Sequence, residues 1–230
     1  MKYKFKNTIV IALGGSIMYP DEIDVNFLKN FRKFILKWIR RGKKFVIVTG
    51  GGSVCRKYQK SASAIVDLPD EDIDWIGIHA TRLNAQLLRT IFWRDANPIV
   101  CDSSGKIKNL KYSITIASGW RPGWSTDYIA IELARQFKIN EVVIAGSPAF
   151  VFDKDPKIHK SAKPFDEISW KSYRNLIPSA WVPGFHSPVD PVGARLADRS
   201  GIKAIILKGT NLDNFDRLLS NKDFEGTLIS

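Results

Sequence analysis

The stretch Lys43-Lys44-Phe45-Val46-Ile47-Val48-Thr49-Gly50-Gly51-Gly52-Ser53, KKFVIVTGGGS, decides the fold. A short β-branched run bounded by charge and by glycine suits a strand covered on both faces, as in a parallel sheet. Three successive glycines raise the entropy that folding must overcome, so they are costly unless the backbone turns tightly or approaches another body closely. The stretch therefore reads as a buried strand that runs into a turn built for close approach.

The same grammar extends to both sides. Thr8 to Leu13 reads as a strand, followed by the tight turn Gly14-Gly15-Ser16. Val25, Leu28, Phe31, Ile35, Trp38 and Ile39 recur at helical spacing, and Gly42 beyond Arg40-Arg41 is a suitable stop. After the glycines, Ser53 is read as a helix start, with the helical pattern running from Tyr58 to Val66 until Pro69 interrupts; Asp74 to Arg94 reads as a second long helix. The remainder alternates in the same way: a strand near Ser113 to Ala117, the loop GWRPGWST, a helix near Asp127 to Phe137 and the strand EVVIAG. An irregular region from Ser147 to Pro188, with a helix inside it, precedes the helix PVGARLADRS, the strand KAIILKG, a short helix near Asn214 to Leu219 and a last strand TLIS. Alternation of this kind predicts an α/β protein, a mostly parallel sheet with helices on both faces. The 230 residues are read as a single domain.

Composition narrows the partners. Lys and Arg number 35 against 23 Asp and Glu, a net charge of +12 that favours anionic ligands such as nucleotides, phosphorylated metabolites or nucleic acid. The basic residues are spread along the chain, and the 7 Trp and 13 Phe fall mostly at core spacing, so a nucleic-acid stacking platform is the weaker reading. No apolar run is long enough to span a bilayer, and MKYKFKNTIVIAL leads directly into glycines without a cleavage site. Only Cys55 and Cys101 occur, which implies reduced thiols and a cytoplasmic protein.

Ligands of an open parallel sheet bind outside the carboxyl ends of its strands. Four strands end in small or glycine-rich turns: Gly14-Gly15-Ser16, Gly50-Gly51-Gly52-Ser53, Gly119 to Thr126, and Gly146-Ser147. Bare backbone N–H groups and helix N-termini at one edge can cradle phosphates. Neither a G-x-x-x-x-G-K-[ST] loop nor a G-x-G-x-x-G fingerprint is present, so another phosphate-binding scheme is required.

In order along the chain, ALGGS (Ala12 to Ser16), TGGGSVCRKY (Thr49 to Tyr58), DIDWIGIHATRLNAQLL (Asp72 to Leu88), GWRPGWSTDYIAIELA (Gly119 to Ala134), DKDPK (Asp153 to Lys157), SPVDPVGARLADRSGIK (Ser187 to Lys203) and GTLI (Gly226 to Ile229) resemble the amino acid kinase family, and within it the archaeal type of uridylate (UMP) kinase. The resemblance implies a three-layer αβα sandwich, with an acceptor-binding half over about residues 1–135 and a donor-binding half over about 136–230. It implies transfer of the γ-phosphoryl group of ATP to UMP, with Mg2+ carried on the phosphates without direct side-chain ligation, in a homohexamer.

Position by position, the resemblance places Gly14, Gly15 and Ser16 under the donor phosphates, joined on the ATP side by Gly52, Arg56, Gly146, Ser147, Phe152 and Asp155. Gly51 matches a UMP contact, and Asp74 matches the carboxylate on the UMP ribose; on sequence alone Asp74 reads equally well as a helix N-cap. Trp120, Arg121, Pro122, Gly123, Trp124, Ser125 and Thr126 match the loop around the acceptor phosphate and uracil. Asp190 matches the aspartate beside the transferred phosphate, and it is also a good N-cap before Pro191. Two departures stand out. Many amino acid kinases carry a lysine just before LGG where this chain has Ala12, which leaves Arg56 and Arg121 as the candidate catalytic cations. The family's TNVDGVYDKDP is here GSPAFVFDKDP, from Gly146 to Pro156. The altered donor loop keeps a second reading open, a nucleotide or oxoanion binder of the same fold that acts as a sensor or resembles molybdenum storage proteins. The long helix from Val25 to Ile39 is rich enough in large apolar residues to be expected to offer a face to another subunit.

Overall fold

Alternating apolar residues along each short β-branched run require helices on both sides, and the structure, a computed structural model that describes residues 1–180 and 187–230, places them there. The strands are β1 (Thr8–Leu13), β2 (Lys44–Thr49), β3 (Ile114–Ala117), β4 (Glu141–Gly146), β5 (Val151–Phe152), β6 (Pro164–Phe165), β7 (Glu167–Ile168), β8 (Lys203–Lys208) and β9 (Thr227–Ile229). The helices are α1 (Gly15–Met18), α2 (Val25–Ile39), α3 (Gly52–Ser63), α4 (Asp70–Ile91), α5 (Thr126–Gln136), α6 (Trp170–Arg174), α7 (Pro191–Ser200) and α8 (Leu212–Leu219). Seven strands form one sheet in the order β3-β2-β1-β4-β8-β9-β7, parallel except for the β8–β9 pair, and β5 and β6 form a separate hairpin.

Ile9, Ile11 and Leu13 of β1, with Phe45 and Ile47 of β2, face α2, α4 and α8; Val10, Ala12, Val46 and Val48 face α5, α6 and α7. Phe45, Val46, Ile47 and Val48 are almost wholly buried, as a strand covered on both faces requires. The expected three-layer αβα sandwich is observed.

Local signals set most helix ends. Asp24 caps α2 by accepting the Phe27 N–H at 2.8 Å. α7 has Asp190 as its cap, Pro191 in its first turn and Gly201 at φ 63° after its end, the usual asymmetry of Pro at the start and Gly at the stop. α4 begins at Asp70, a turn before the expected Asp74, because Asp70, Glu71 and Asp72 fill its first turn and favour the N-terminal dipole; it stops at Ile91 instead of Arg94. α3 starts at Gly52 behind Gly51, with no side-chain cap, so Ser53 is inside the helix, and the helix ends at Ser63, short of Val66. The region expected to be irregular from 147 to 188 holds the β5–β6 hairpin, β7 and the anticipated helix, α6; its residues 181–186 lie outside the described residues.

The expectation of a spare apolar face on α2 fails. Phe27, Leu28, Phe31, Phe34, Ile35 and Trp38 are all spent on the core, and Val25, 54% exposed, is the one exposed large apolar residue of the helix.

The glycines after β1 and β2 are required by each other. A Cβ on Gly15 would lie 2.1 Å from the Gly52 nitrogen and 2.6 Å from that of Gly51, and one on Gly50 would lie 2.4 Å from the Gly15 nitrogen. Gly15→Ala is therefore expected to destabilise the fold by about 3 kcal/mol or more, the upper end for overpacking against atoms that cannot yield. Gly77→Ala meets only side chains, Gln59 Nε2 at 3.2 Å and Cys55 Sγ at 3.4 Å, while alanine favours the helix, so it is expected to change stability by less than about 1 kcal/mol. Urea denaturation of the two variants checks the contrast.

Candidate active site

Parallel strands of matched register end at one edge, so their turns meet. Leu13 of β1 pairs with Thr49 of β2 and with Ala145 of β4, and the turns are stitched by backbone bonds: Gly50 N–H to Leu13 O (2.9 Å) and Gly14 N–H to Ala145 O (2.9 Å). Gly52, at φ +72°, has the Gly15 and Tyr19 carbonyls too close for any side chain. Ser16 and Ser147 hydroxyls stand 3.3 Å apart across the same edge. A fifth strand end joins these four: after β8, the Gly209 N–H donates to Gly146 O at 2.8 Å, and a Cβ there would lie 2.8 Å from Ala145 O.

α4 ties two of these loops to one helix face through three side chains. Asp74 accepts the Gly123 N–H (2.8 Å), Thr81 accepts the Gly119 N–H (2.7 Å), and the Asn84 amide donates to the carbonyls of Gly50 (2.8 Å) and Gly51 (3.1 Å). Asp74 is thus in the second turn of α4 and not at its N-cap. Thr81 and Asn84 are buried, and the turns they satisfy would otherwise leave polar backbone groups unpaired.

On the other face of the sheet, α5 and α7 bring their N-termini together. Asp190 is buried; it accepts the Val192 and Gly193 N–H groups at 2.8 and 3.0 Å, and its second oxygen accepts the Ser125 hydroxyl. Ser125 in turn caps α5 through the Tyr128 N–H at 3.0 Å. One carboxylate therefore couples the caps of two helices. Beside it, burial first and the Asp190 charge second push the Asp127 carboxyl well above its usual pKa. Asp127 as a residue is only half-buried, but its carboxyl is enclosed. Its first-turn place in α5 pulls the other way, by a smaller amount.

A cavity of about 200 Å³ opens between these groups, lined by Gly51, Cys55, Asp74 and Arg121 together with Gly77, Ile78, Thr81, Gly119, Trp124, Ser125 and Thr126. The Arg121 guanidinium lies 3.8 Å from the centre of the Trp124 ring, a cation–π contact that shapes its wall. A larger hollow of about 470 Å³ lies at the opposite edge, among Lys6, Asn7, Thr8, Phe137, Lys138 and Ile139. It is away from the turns and helix N-termini, and the smaller cavity is where ligand chemistry converges.

Of the residues read from the sequence, Gly51, Asp74, Arg121, Trp124, Ser125 and Thr126 meet at the cavity, and Gly123 is held beside it. Trp120 does not present its side chain there: the ring is buried in the core and its indole N–H donates to Cys101 O at 3.1 Å. Pro122 is half-buried in the loop, outside the lining. Gly14, Gly15, Ser16, Gly52, Gly146 and Ser147 gather at the adjoining turns, whereas Arg56 is exposed on α3 and does not line the cavity. Phe152 is half-buried in β5 in edge contact with Phe150 (6.3 Å), and Asp155 is exposed, its carboxylate accepting the Lys157 N–H at 2.9 Å. Sequence reading missed Cys55, Thr81, Asn84, Asp127 and Gly209. Thr81 and Asn84 could have been found as polar residues on the same helix face as Asp74, seven and ten residues on.

The model of the amino acid kinase family matches residues 7–208, and the chain belongs to that family. It is 34% identical to a uridylate kinase of Thermococcus sibiricus over 226 residues, covering 96% of this chain and 98% of the relative. It is 32% identical to a uridylate kinase of Thermoplasma volcanium, with 94% of each covered. The crystal structure of a uridylate kinase from Archaeoglobus fulgidus aligns over the whole of both chains with a TM-score of 0.82 at 29% identity. A UMP kinase from Bacillus anthracis, at 21% identity and a TM-score of 0.80, shares the fold.

The Asp127 pKa makes stability depend on pH in a definite direction. A carboxyl whose folded pKa is raised binds its proton more tightly folded than unfolded, so its ionisation favours unfolding as pH rises above the unfolded value of about 3.9. Asp127→Asn is expected to melt at the same temperature as the parent near pH 4 and at a higher temperature at pH 7 to 8. Calorimetry across that range is the check.

Proposed function

We propose that the protein is a nucleoside-monophosphate kinase that transfers the γ-phosphoryl group of ATP to UMP, giving ADP and UDP. One observation carries this reading. The glycine turn after β2, packed against the turn after β1, and the N-terminus of α5, whose Ser125 is held by Asp190 of α7, line a cavity whose polar groups include Asp74, Arg121, Ser125 and Thr126. Phosphoryl transfer needs positioning and positive potential more than covalent chemistry, and backbone N–H groups with helix N-termini supply both. The uridylate kinase names of the relatives support UMP as the acceptor. The net charge of +12 suits two anionic substrates.

In this reading Ser125, Thr126 and Gly51 receive the acceptor phosphate, Arg121 and the Trp124 loop enclose the acceptor, and Asp74 meets the ribose while holding Gly123. Gly14, Gly15, Ser16, Gly52, Gly146 and Ser147 form the donor turn, with Arg56, Phe152 and Asp155 at its margin. Asp190 acts by fixing Ser125 and the first N–H groups of α7. The acceptor half then spans about residues 1–135 and the donor half about 136–230. The donor turns offer N–H and hydroxyl groups, which suit phosphate oxygens; Mg2+ held on those oxygens would neutralise their charge.

Saturation with UMP at a hundredfold excess over its Kd is expected to stabilise the protein by about 2.7 kcal/mol. A coupled assay over UMP and CMP with ATP and GTP is expected to show ADP formation with UMP. Asp190→Asn should lower kcat strongly with little change in the UMP Kd. Failure of every nucleoside triphosphate to phosphorylate UMP, also after Ala149→Asp with Phe150→Gly, would instead favour a nucleotide- or oxoanion-binding relative.

The same reading includes a homo-oligomer, a hexamer by family resemblance. Its support is an exposed apolar set on the α3–α4 layer: Tyr58, Ile65, Val66 and Leu83 are 67%, 85%, 56% and 65% exposed. Light scattering is expected to give a multiple of 26.0 kDa, reduced by Leu83→Glu. Free Cys55 and Cys101 accord with a cytoplasmic location, and among the described residues no helix is long and apolar enough to cross a membrane.

A further inference from the structure

We infer that Tyr173 of α6 is a positioning residue for Asp190, acting through the backbone of Val189; this rests on the proposed role of Asp190 in phosphoryl transfer. Tyr173 is fully buried, and its hydroxyl makes two bonds to one residue: it donates to Val189 O at 2.7 Å and accepts the Val189 N–H at 2.8 Å. The carbonyl of the Val189–Asp190 peptide and the N–H of the peptide before it are thereby both held by one side chain. The Ser187 hydroxyl donates to the same carbonyl at 2.7 Å. Burial pushes the Tyr173 pKa up, so the phenol keeps the proton it donates.

The segment that this bond fixes ends in the carboxylate whose two oxygens serve two helices, the α7 N–H groups and the Ser125 hydroxyl. A rotation at Val189 would move both contacts at once. α6 is itself held: the Trp170 ring meets Tyr173 edge-on at 5.8 Å, and its indole N–H donates to Ile202 O at 2.9 Å. The small helix that follows β7 is thus a strut set on the core, and its phenol sets the angle from which Asp190 reaches Ser125 and the first N–H groups of α7. A buried tyrosine that served the core alone would need one bond to satisfy its hydroxyl, and either partner elsewhere would do.

Tyr173→Phe keeps the ring and removes only the two bonds. It is expected to lower kcat about tenfold to a hundredfold, the scale of a slightly misplaced catalytic group, and to leave the KM for UMP within about twofold. Trp38→Phe removes an indole hydrogen bond to Asp216 (3.0 Å) on the opposite face of the sheet, and should lower Tm while kcat stays within about twofold. In the Asp190→Asn background, Tyr173→Phe should cost no further kcat, because the group it positions has lost its charge. Ser187→Ala, which takes away only the second donor to Val189 O, should lower kcat in the same direction by less and covers the case in which Tyr173→Phe does not fold. If Asp190→Asn is inactive while Tyr173→Phe and Ser187→Ala retain parental kcat, the inference is overturned and the Asp190 reading stands. If Asp190→Asn itself retains parental kcat, the Asp190 reading fails and the inference falls with it.

Discussion

Between Gly15 and the turn Gly50–Gly52 there is no room for one carbon atom, and this contact fixes the carboxyl edge of the sheet. It follows from two adjacent parallel strands that end in register, Leu13 beside Thr49, and then turn toward each other. Both helices that leave these turns, α1 and α3, start from the contact, and the Ser53 N–H donates to Tyr19 O at 3.0 Å to close it. The glycines of β1 and β2 are thus a structural joint before they are a ligand surface. Because no side chain stands between the turns, amides there other than those of Gly14 and Gly50, which bond the neighbouring strand ends, can face phosphate oxygens at the same edge.

The opposite face contributes charge and dipole. α5 and α7 end their N-termini on a shared carboxylate, and a buried anion at two helix N-termini is where helix dipoles favour it. Asp127 shows the limit of that favour: enclosed beside Asp190, its carboxyl holds its proton more tightly. The proposed acceptor site then combines a negative charge held behind Ser125 with N–H donors and Arg121 at the cavity.

The long periodic elements were legible because burial on a fixed face leaves a period. β1, β2 and α2 fall where alternation and helical spacing put them, and α7 is marked at both ends by Asp190-Pro191 and Gly201. Strands of two residues, β5, β6 and β7, carry no period and could not be read. Asp74 was ambiguous because an aspartate suits an N-cap as well as a ligand contact; the cap position falls at Pro69, and three acidic residues fill the first turn ahead of Asp74. Trp120 and Trp124 share one loop and one residue type, yet one ring entered the core and the other the cavity wall, a choice made by the Cys101 carbonyl. The apolar stripe of α2 gave its period without saying that the sheet, α8 and Phe224 would consume it. The polar bonds of Thr81, Asn84 and Tyr173 join residues far apart in the chain and exist only in the fold.

The face of α4 that carries Asp74, Thr81 and Asn84 also decides which changes in chain length the protein can absorb. Inserting or deleting one residue within that helix turns everything beyond it by about 100° and shifts it by about 1.5 Å, so the three side chains could no longer all find their partners in the two loops. The tip of the β5–β6 hairpin, residues 153–163, is bonded mainly to itself and exposed over nearly all its length. Length variation among relatives should therefore collect in the hairpin and be absent between Asp74 and Asn84, so that α4 serves as the fixed ruler against which the rest of the active edge is measured.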